Sequence, residues 1–385
     1  MYPGCRWLFP NYSVFKLNRP SFMSLTISDI AKLAGVSRAT VSGVLNNSPT
    51  VSERTKTRVL AIIEKHNYRP NAIARALALK QTGVIGLLVK DISNPLYSQI
   101  AMGVEELCVD NNYSVIMGNT NTLPERELSK INLLKRRQVD GLILLPVQKG
   151  VDLGHLWELH KENYPFVLLA EVPGIQADLV RADDEKGAFE AVDHLINLGR
   201  RRIGYICGPE TAMASDRRLE GYRRALIENN LVPGKDLVIP CGWRLEHGYE
   251  AGLRLRESDN PIPDALFCYN DSVALGLIRA LTEGQIDVPD DVAVVGFDDA
   301  PTSGFLETAL TTVAQPAHLI GYRAAQVLLD RIHAKNNSSP FQSIFLETHL
   351  VVRESCGANR KGTVSHQLNP KPDHDLIKTN REDQF

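Results

Sequence analysis

Residues 26–46 read TISDIAKLAGVSRATVSGVLN, and this stretch predicts two short helices joined by a tight turn. Thr26 followed by Asp29 is the start of a capping box, and the apolar residues behind it recur at helical spacing. Gly35 is the residue type that ends a helix in a left-handed conformation, and Ser37 can cap a second helix. The pattern therefore predicts a helix-turn-helix.

A third helix would complete a small all-α unit over residues 24–70. Ser52 can cap this helix, and Val59, Ile62 and Ile63 would face inward. Three short helices bury little apolar surface, but they are enough for a compact DNA-binding headpiece.

The second helix of such a motif enters the major groove with its first residues toward the base edges. Arg38 can donate two hydrogen bonds to guanine, and Ala39 can touch a thymine methyl group. Short polar side chains near helix starts and turns can donate to phosphates, and those predicted to do so are Thr26, Ser37, Thr40, Ser42, Asn46, Ser52 and Thr55. The alternative is that they only cap helices, although one side chain can do both.

The charge is divided unevenly along the chain. The net charge is −2, but residues 23–80 hold nine Lys or Arg and three acids, a net charge of +6. Residues 1–22 carry +3, so residues 81–385 carry −11. A small basic domain joined to a large acidic one is expected when only one end meets phosphates. A basic face that is merely solvated is the alternative.

From residue 83 onward, near-continuous apolar strands alternate with helical stretches. The predicted strands are 83–89, 113–119, 139–146, 165–171, 201–208, 264–270 and 291–298. The predicted helices are 95–110, 124–137, 184–198, 218–230 and 272–283. Such alternation predicts parallel sheets that are buried on both faces. The stretch is too long for one small sheet, so we expect two α/β lobes, with 343–355 as an edge or crossover strand.

These patterns suggest boundaries. We expect a disordered extension over 1–23, with Met23 as an alternative start, the headpiece over 24–70 and a short helix over 71–82. The large domain would cover 83–355, with lobe 1 at about 83–181 and 314–340 and lobe 2 at about 183–312 and 343–355. A disordered tail would cover 356–385.

The sequence resembles a known family over most of its length. The segments TISDIAKLAGVSRATVSGVLN, VSERTKTRV and YRPNAIARALA are similar to the headpiece and hinge of the LacI/GalR family of bacterial regulators. The likeness continues through NPLYSQI, VDGLILLP, RRLEGYRRAL, YNDSVALG, VPDDVAVVGFDD and ALTTVAQP, and it covers residues 24–354. So many ordered matches are specific, whereas any one alone would be weak. The resemblance implies a two-lobed, periplasmic-binding-protein-like domain over 83–355 that binds an effector and dimerises.

The resemblance also implies a role for the helix at 71–82 as a hinge. In this family the hinge helix packs against its dimer mate and inserts a leucine into the minor groove. The matching residue is Leu77, with Asn71 and Ala74 on the same helix. Such an apolar wedge unstacks a base step and kinks the DNA, whereas interdomain packing is the alternative for Leu77. Gly43 departs from the family, because many relatives place a longer, base-contacting residue there.

The resemblance places the effector in the cleft between the lobes, outside the carboxyl ends of the strands. The residues that match the family's ligand positions are Leu96, Tyr97, Arg218, Trp243, Asn270, Asp298 and Gln315, with Asp183 as a weaker match. Arg218 and Asp298 could bind vicinal hydroxyls, Trp243 offers a flat face, and Asn270 offers a donor and an acceptor. Core packing of Trp243 and a purely structural Arg218–Asp298 salt bridge are the alternatives.

The expected effector is a sugar or a sugar derivative. Where purine-binding relatives place polar side chains after the Gly208-Pro209 turn, this chain has Ala212 and Ala214. Together these features predict a cytoplasmic, homodimeric regulator of carbohydrate metabolism, a repressor that binds a palindromic double-stranded DNA operator. Whether the effector releases DNA or promotes its binding stays open.

Other functional classes fit the sequence less well. A solute-binding protein of a transport system shares the two-lobed fold, but it would need an export signal and no helix-turn-helix. An enzyme is not expected, because the chain lacks GxSxG, HExxH, a Walker loop and a GxGxxG after its first strand. The spacing of cysteines and histidines predicts no metal site, no cofactor is expected, and no apolar run is long enough to predict a membrane span.

Overall fold

The computed structural model describes residues 25–45, 48–68, 81–146, 149, 152–334 and 340–358. The chain divides into two compact units, Met1–Thr82 and Gly83–Phe385. Several predictions lie outside the described residues, and they concern the 1–23 extension, Asn46, the 71–80 part of the hinge helix with Asn71, Ala74 and Leu77, and the tail beyond residue 358. These remain predictions.

Three helices form the described part of the N-terminal unit. They are α1 (Ile27–Ala34), α2 (Arg38–Leu45) and α3 (Glu53–Lys65). The turn between α1 and α2 passes through Gly35, whose φ of 63° costs glycine little. The apolar stripes of the helices meet in a small buried core of Ile30, Ala31, Ala34, Val41, Val44 and Val59.

The helix starts use their polar residues differently. Thr26 and Asp29 form the predicted capping box, in which Thr26 Oγ1 accepts from the Asp29 N–H at 3.3 Å and Asp29 Oδ2 accepts from the Thr26 N–H at 2.8 Å. Ser37 caps α2, because its Oγ accepts a backbone N–H from three residues later at 3.0 Å. Ser52 precedes α3 but caps no backbone N–H, and its Oγ lies 3.0 Å from Thr55 Oγ1. The predicted side-chain cap at Ser52 is therefore wrong.

Gly43 lies against the segment that joins α2 to α3. A Cβ atom at this position would lie 3.0 Å from Val51 Cγ2 and 3.6 Å from Ser48 Cβ. A larger side chain would therefore press on this segment at its first carbon. Glycine thus lets the connecting segment lie close to α2.

Within the described residues, the C-terminal unit contains two six-stranded sheets. The first has the order β11-β5-β4-β3-β1-β2 and consists of β1 (Val84–Val89), β2 (Ser114–Asn119), β3 (Gly141–Leu144), β4 (Phe166–Leu168), β5 (Asp178–Ala182) and β11 (Ser343–Leu346). The second has the order β12-β10-β9-β8-β6-β7 and consists of β6 (Ile203–Cys207), β7 (Val238–Pro240), β8 (Ala265–Cys268), β9 (Ala293–Asp298), β10 (Thr311–Ala314) and β12 (His349–Val351). Every described pair of strands is parallel except β10 with β12, so the predicted parallel architecture is confirmed.

Helices cover both faces of each sheet. They are α4 (Pro95–Asp110), α5 (Pro124–Arg136), α6 (Gly154–Lys161), α7 (Asp184–Asn197), α8 (Met213–Glu228), α9 (Leu245–Glu257), α10 (Asp271–Glu283) and α11 (Ala317–His333), with a 3₁₀ turn at Lys235–Leu237. Successive strand residues therefore enter different cores. Leu87 and Leu88 belong to separate buried clusters, as do Leu266 and Phe267. In the part of the chain that the structure describes, no helix is long and apolar enough to traverse a bilayer.

Three segments connect the sheets, and we call the first sheet with its helices lobe 1 and the second lobe 2. The chain passes from β5 to α7 at 182–184 and from β10 to α11 at 314–317. It passes from β11 to β12 through Glu347 and Thr348. The Thr348 hydroxyl donates to the Asp183 carbonyl at 3.3 Å, so two of these connections are tied together.

Two predicted boundaries are wrong. The stretch 343–355 does not lie wholly in lobe 2, because Ser343–Leu346 pairs with β5 in lobe 1 and only His349–Val351 pairs with β10. The stretch serves as an edge strand of both sheets and as the crossover between them. The predicted tail also begins too early, because Cys356 is buried in the core of lobe 2, 3.4 Å from His194 Nε2.

Candidate functional site

The first residues of α2 form an exposed surface, the α2 face, which consists of Ser37, Arg38 and Ala39. No ion pair or hydrogen bond to another described residue holds the Arg38 guanidinium. Its donors are therefore available for a base edge, as predicted for a helix that enters the major groove. Thr40 and Ser42 lie half-buried further along the same helix.

The other predicted phosphate donors differ in what their hydroxyls already do. The Thr26 hydroxyl donates to Asp29 Oδ2 at 2.7 Å, so its proton is used inside the headpiece. Ser52 is exposed and Thr55 half-buried, and their hydroxyls bond each other at 3.0 Å. The pair at the start of α3 can turn one proton outward, whereas Thr26 would have to share its own.

A cavity of about 110 Å³ lies in the C-terminal unit, lined by residues that follow strands of both lobes. This interlobe cavity has room for several waters or one small ring-shaped molecule. Seven of the eight predicted effector residues line it, namely Leu96, Tyr97, Arg218, Trp243, Asn270, Asp298 and Gln315. Ala212 and Ala214 also line it. Burial raises the pKa of Tyr97 well above its ordinary value, so this phenol stays protonated as a donor.

Asp183 is the predicted effector residue that does not line the cavity. It is the N-cap of α7, where its Oδ1 accepts from the Lys186 N–H at 3.1 Å. The next residue, Asp184, lines the cavity instead. The helix start therefore uses the Asp183 carboxylate, and the expectation of a ligand contact moves to its neighbour.

Arg218 is the centre of the charged network in the cavity wall. Only 4% of this residue is exposed. Its Nε and Nη2 donate to Asp184 Oδ1 at 2.9 and 2.8 Å, and Nη1 donates to the Tyr269 carbonyl. The guanidinium also lies 3.6 Å from the centre of the Phe297 ring. Burial opposes the charged form, but the nearby acids outweigh it, so the pKa of Arg218 is raised and the group stays charged.

Asp298 is a weaker partner of Arg218 than Asp184 is, so the alternative of a structural Arg218–Asp298 salt bridge describes only the longer of two ion pairs. The closest approach of Arg218 and Asp298 is 3.7 Å, from Nη2 to Oδ1. The stronger contact comes from Gln315, whose Nε2 donates to Asp298 Oδ1 at 2.6 Å. Burial raises the pKa of Asp298 to about 6, with Arg218, Gln315 and Asn94 opposing the shift. The Asp298 carboxylate therefore faces the cavity with acceptor capacity left over.

The backbone at Asp298 is also unusual. Asp298 and Asp299 have φ values of 111° and 54°, a region that residues other than glycine rarely adopt. Two contacts hold this turn, since Arg353 Nη2 lies 2.6 Å from Asp299 Oδ1 and Asp271 Oδ2 accepts from the Ala300 N–H at 2.7 Å. Such strain costs on the order of 1–3 kcal/mol and persists only where the surroundings enforce it. The turn therefore fixes where the Asp298 carboxylate points.

Asp91, just after β1, joins lobe 1 to lobe 2. Its Oδ2 accepts from Trp243 Nε1 at 3.1 Å and from Arg244 Nε at 2.8 Å, and its Oδ1 accepts from Ser93 Oγ at 2.7 Å. Burial works against the ionised form, yet these donors together lower the pKa of Asp91. The indole predicted to stack on a sugar is therefore held in place from the opposite lobe, and we call this contact the Asp91 clasp.

Two further ion pairs cross between the lobes. Arg217 Nη2 lies 2.8 Å from Glu171 Oε2, and Lys149 Nζ lies 2.6 Å from Asp216 Oδ2. Both pairs are partly exposed, so water and salt weaken each of them. These two ion pairs and the Asp91 clasp join the lobes around the cavity.

Asn270 has fewer free groups than the sequence suggests. Its Oδ1 caps α10 by accepting from the Val273 N–H at 2.8 Å, and its Nδ2 donates to the Trp243 carbonyl at 2.9 Å. One amide hydrogen and one lone pair remain for a ligand. Asn270 thus positions Trp243 as well as facing the cavity.

Several residues that line the cavity are not predicted as effector residues, and these are Lys90, Asp91, Asn94, Glu171, Arg181, Asp184, Arg217 and Tyr269. Most of them share one signal, since they end a strand or follow one directly. Residues at the carboxyl ends of parallel strands converge on one edge, so this rule finds those residues but not Asn94 or Arg217. Burial lowers the pKa of Lys90 to about 8, with Glu127 opposing the shift, so this amine titrates near neutral pH.

Comparison with known proteins assigns both units. The sequence model described as "Bacterial regulatory proteins, lacI family" matches residues 26–71, and that of the "Periplasmic binding protein-like domain" matches residues 192–356. The HTH-type transcriptional repressor PurR of Haemophilus influenzae (strain PittEE) is 35% identical over 331 residues, 86% of this chain and 98% of its own length. Catabolite control protein A of Priestia megaterium is 36% identical over 308 residues, 80% of this chain and 92% of its own.

Solved structures give the same result. The lac repressor dimer bound to operator and the anti-inducer ONPF matches with a TM-score of 0.76 and 28% identity, over 86% of this chain and 99% of that one. A complex of the transcriptional regulator CelR with cellobiose has a TM-score of 0.66 and 31% identity over the same shares. A LacI family regulator from Enterococcus faecium with bound ribose has a TM-score of 0.62 and 29% identity, over 71% of this chain and 98% of that one.

The length of these matches decides the family, because PurR is 35% identical over 86% of this chain, across both the headpiece and the two-lobed unit. The chain therefore belongs to the lacI family of bacterial regulatory proteins, and it is a DNA-binding transcriptional regulator rather than an enzyme.

Proposed function

We propose that this regulator is a repressor of carbohydrate metabolism that acts as a cytoplasmic homodimer on a palindromic operator and is gated by a sugar or sugar derivative. The observation that favours a sugar effector is the composition of the interlobe cavity. Asp298, Arg218 and Asn270 present acceptors and donors beside Trp243, whose indole is held by the Asp91 clasp. Directed hydrogen-bonding groups beside a flat apolar ring suit a polyol.

The comparisons support this ligand class without deciding it. Two structurally similar regulators are described with bound sugars, cellobiose in CelR and ribose in the protein from Enterococcus faecium. In this chain Ala212 and Ala214 line the same cavity, and neither has a polar group for the edge of a nucleobase.

The DNA half of the proposal rests on the α2 face. Arg38 and Ala39 occupy the start of α2, the part of a recognition helix that meets base edges in the major groove. Residues 23–80 carry a net charge of +6, which supplies attraction to phosphates. Two copies would place two such helices on the two halves of a palindrome, and sedimentation of the free protein as a dimer tests that arrangement.

The two activities would be coupled through the arrangement of the lobes. A coupling free energy of about 1–3 kcal/mol between effector and operator would change operator affinity about 5- to 150-fold. The sign of the coupling depends on whether the effector favours the DNA-bound arrangement, and operator titrations with and without effector determine it.

A thermal-shift panel of sugars, sugar phosphates and purine bases tests the proposal, since a ligand that binds only the folded state must raise stability. Calorimetry of Asp298→Ala and Arg38→Ala then separates the two sites. We expect Asp298→Ala to weaken sugar binding by about 1.5–3 kcal/mol, because a hydrogen bond to a charged group is lost. Arg38→Ala should bind sugar as the unaltered protein does. A panel in which only purine bases raise the melting temperature would contradict the proposed effector.

A further inference from the structure

The acids that line the interlobe cavity all have partners within the protein. Asp91 accepts from Trp243 and Arg244, and Glu171 from Arg217. Asp184 is paired with Arg218, and Asp298 accepts from Gln315. The cavity therefore holds no carboxylate that needs a cationic ligand to balance it.

One cation in the same cavity wall, Arg181, has no acidic partner within the part of the chain that the structure describes. Arg181, near the end of β5, forms no ion pair with any described acid. Its Nη1 donates to the Ala182 carbonyl at 2.9 Å, while its buried Nε has no hydrogen-bond partner in the described chain. The guanidinium lies 4.6 Å from the centre of the Phe345 ring on β11. Stacking on this ring fixes the plane of the guanidinium without neutralising its charge.

Arg217 adds a second donor to the cavity wall. Its two terminal nitrogens are engaged by Glu171 and Glu220, yet its buried Nε also lacks a hydrogen-bond partner among the described residues. A buried donor without a partner is unfavourable, and a ligand that accepts from it removes that cost. Neither Nε therefore has its hydrogen bond satisfied within the described chain.

We infer that the effector is an anionic sugar, carrying a carboxylate or a phosphate, and that Arg181 binds the anionic group. The inference rests on the proposed function, because it specifies the ligand of the same cavity. A carboxylate or phosphate oxygen in the cavity would accept from a terminal N–H of the Arg181 guanidinium and supply the counter-charge that the protein itself does not provide. The hydroxyls of the same ligand would reach Asp298 and Asn270.

The test compares matched neutral and anionic probes on the full-length protein by calorimetry. The hexose set is D-glucose, D-glucuronate and D-glucose 6-phosphate, and the pentose set is D-ribose and D-ribose 5-phosphate, with inorganic phosphate as the anion alone. We expect at least one anionic sugar to bind about tenfold or more tightly than its neutral counterpart, as charge-assisted hydrogen bonds allow. Preference for glucuronate or for the phosphates identifies the anionic group.

Variants then assign the preference to Arg181. Arg181→Gln should bring the anionic and neutral probes to similar affinities, and Arg181→Lys should keep part of the difference because it keeps the charge. Arg279→Gln serves as the matched control, since Arg279 lies on α10 with 70% of its side chain exposed and does not line the cavity. Unfolding curves of each variant establish that it folds.

The outcomes separate this inference from the broader proposal. Neutral sugars that bind as tightly as their anionic forms overturn the inference and leave the sugar effector standing, and so does an anion preference that survives Arg181→Gln. Inorganic phosphate that binds as tightly as the sugar phosphates overturns the sugar part of the inference. Binding of purine bases with no response to any sugar removes both the inference and the proposed effector class.

Discussion

The α2 face and the interlobe cavity present arginine in opposite ways. Arg38 is exposed and has no partner in the described chain, whereas Arg218 is 4% exposed and held by Asp184, the Tyr269 carbonyl and the Phe297 ring. The first is available to a large partner that brings its own charge. The second already has a counter-charge, because Asp184 is paired with it in the cavity wall. An exposed arginine such as Arg38 thus contributes little to the stability of the fold, while an arginine that shapes a cavity is also part of the core.

This difference predicts that replacing a buried arginine destabilises the protein more than replacing a partly exposed one. We expect Arg218→Met to lower the free energy of unfolding by about 3–5 kcal/mol, because Asp184 would be left as a buried charge without its cation. Urea unfolding of the full-length protein measures the change. The neighbouring Arg217→Met is the control, since its side chain is 31% exposed and its pairs with Glu171 and Glu220 are screened, so its effect should not exceed about 1 kcal/mol. Equal losses in both variants would contradict the distinction between core and surface arginine.

The same comparison predicts the reverse order for DNA. Arg38→Ala should weaken specific operator binding by about 1–3 kcal/mol at one base position of each half-site, with stability unchanged. Binding to random DNA, which depends on phosphates, should change little. Titrations of both DNAs at one salt concentration make the measurement, and a similar loss on both would place Arg38 on the backbone instead of a base edge.

The pH dependence of effector binding is the next largest effect. Burial raises the pKa of Asp298 to about 6 from its ordinary value of 3.8. Ligand hydroxyls donate to the ionised form, so binding should be constant above about pH 7 and weaken as the pH falls through 6. We expect about a tenfold loss of affinity at pH 5, and little pH dependence in Asp298→Asn.

Acid unfolding is a competing explanation for that loss, but the titration of Asp298 does not favour it. The pKa of Asp298 is higher in the folded protein than in the unfolded chain, so this group favours the folded state as the pH falls from 7 toward 4. Asp271, whose pKa burial and the charge of Asp298 raise to about 7, acts in the same direction. Calorimetry at pH 7.5 and 5, together with unfolding curves at both values, distinguishes the two explanations, and an affinity that does not change between them would exclude Asp298 as a hydroxyl acceptor.

The smallest expected effects compare two helix starts within the headpiece. Thr26→Ala should destabilise α1 by about 1 kcal/mol, because it removes a side-chain cap that the structure contains. Ser52→Ala should change α3 by only a few tenths of a kcal/mol, because Ser52 caps no backbone N–H. Hydrogen exchange of the α1 and α3 amides in the full-length protein measures the two effects separately. An effect of Ser52→Ala as large as that of Thr26→Ala would contradict the prediction.

The sequence predicts the headpiece better than the cavity, for a physical reason. The cap of α1, the turn at Gly35 and the exposure of Arg38 depend on residues within a few positions of one another. The long strands and helices of the C-terminal unit are equally local, and α4 has the bounds that the sequence predicts. The strands β5, β7 and β10 are not predicted, because only LV, LVI and VA stand together as apolar residues there, whereas the equally short β3 and β4 lie in the longer apolar runs LILL and FVLLA.

Pairings between distant residues could not be predicted in this way. Arg218 lies closer to Asp184 than to Asp298 because α7 packs against α8, and neither the spacing nor the motif contains that information. Asp183 and Asp184 are adjacent carboxylates, yet one caps a helix and the other lines the cavity. The direction of each side chain at the start of α7 decides between them, and only the structure supplies it.

The three connections between the lobes determine what kind of rotation the effector could drive. They leave the sheets at β5, β10 and the β11–β12 edge, so they lie at one side of both sheets. Bending about a line through these connections moves nearby atoms least and remote atoms most. Asp91 follows β1, three strand spacings or roughly 14 Å from β5, and Trp243 follows β7 at the far edge of the other sheet. The Asp91 clasp therefore lies far from this axis, where a small change in the angle between the two lobes breaks a hydrogen bond.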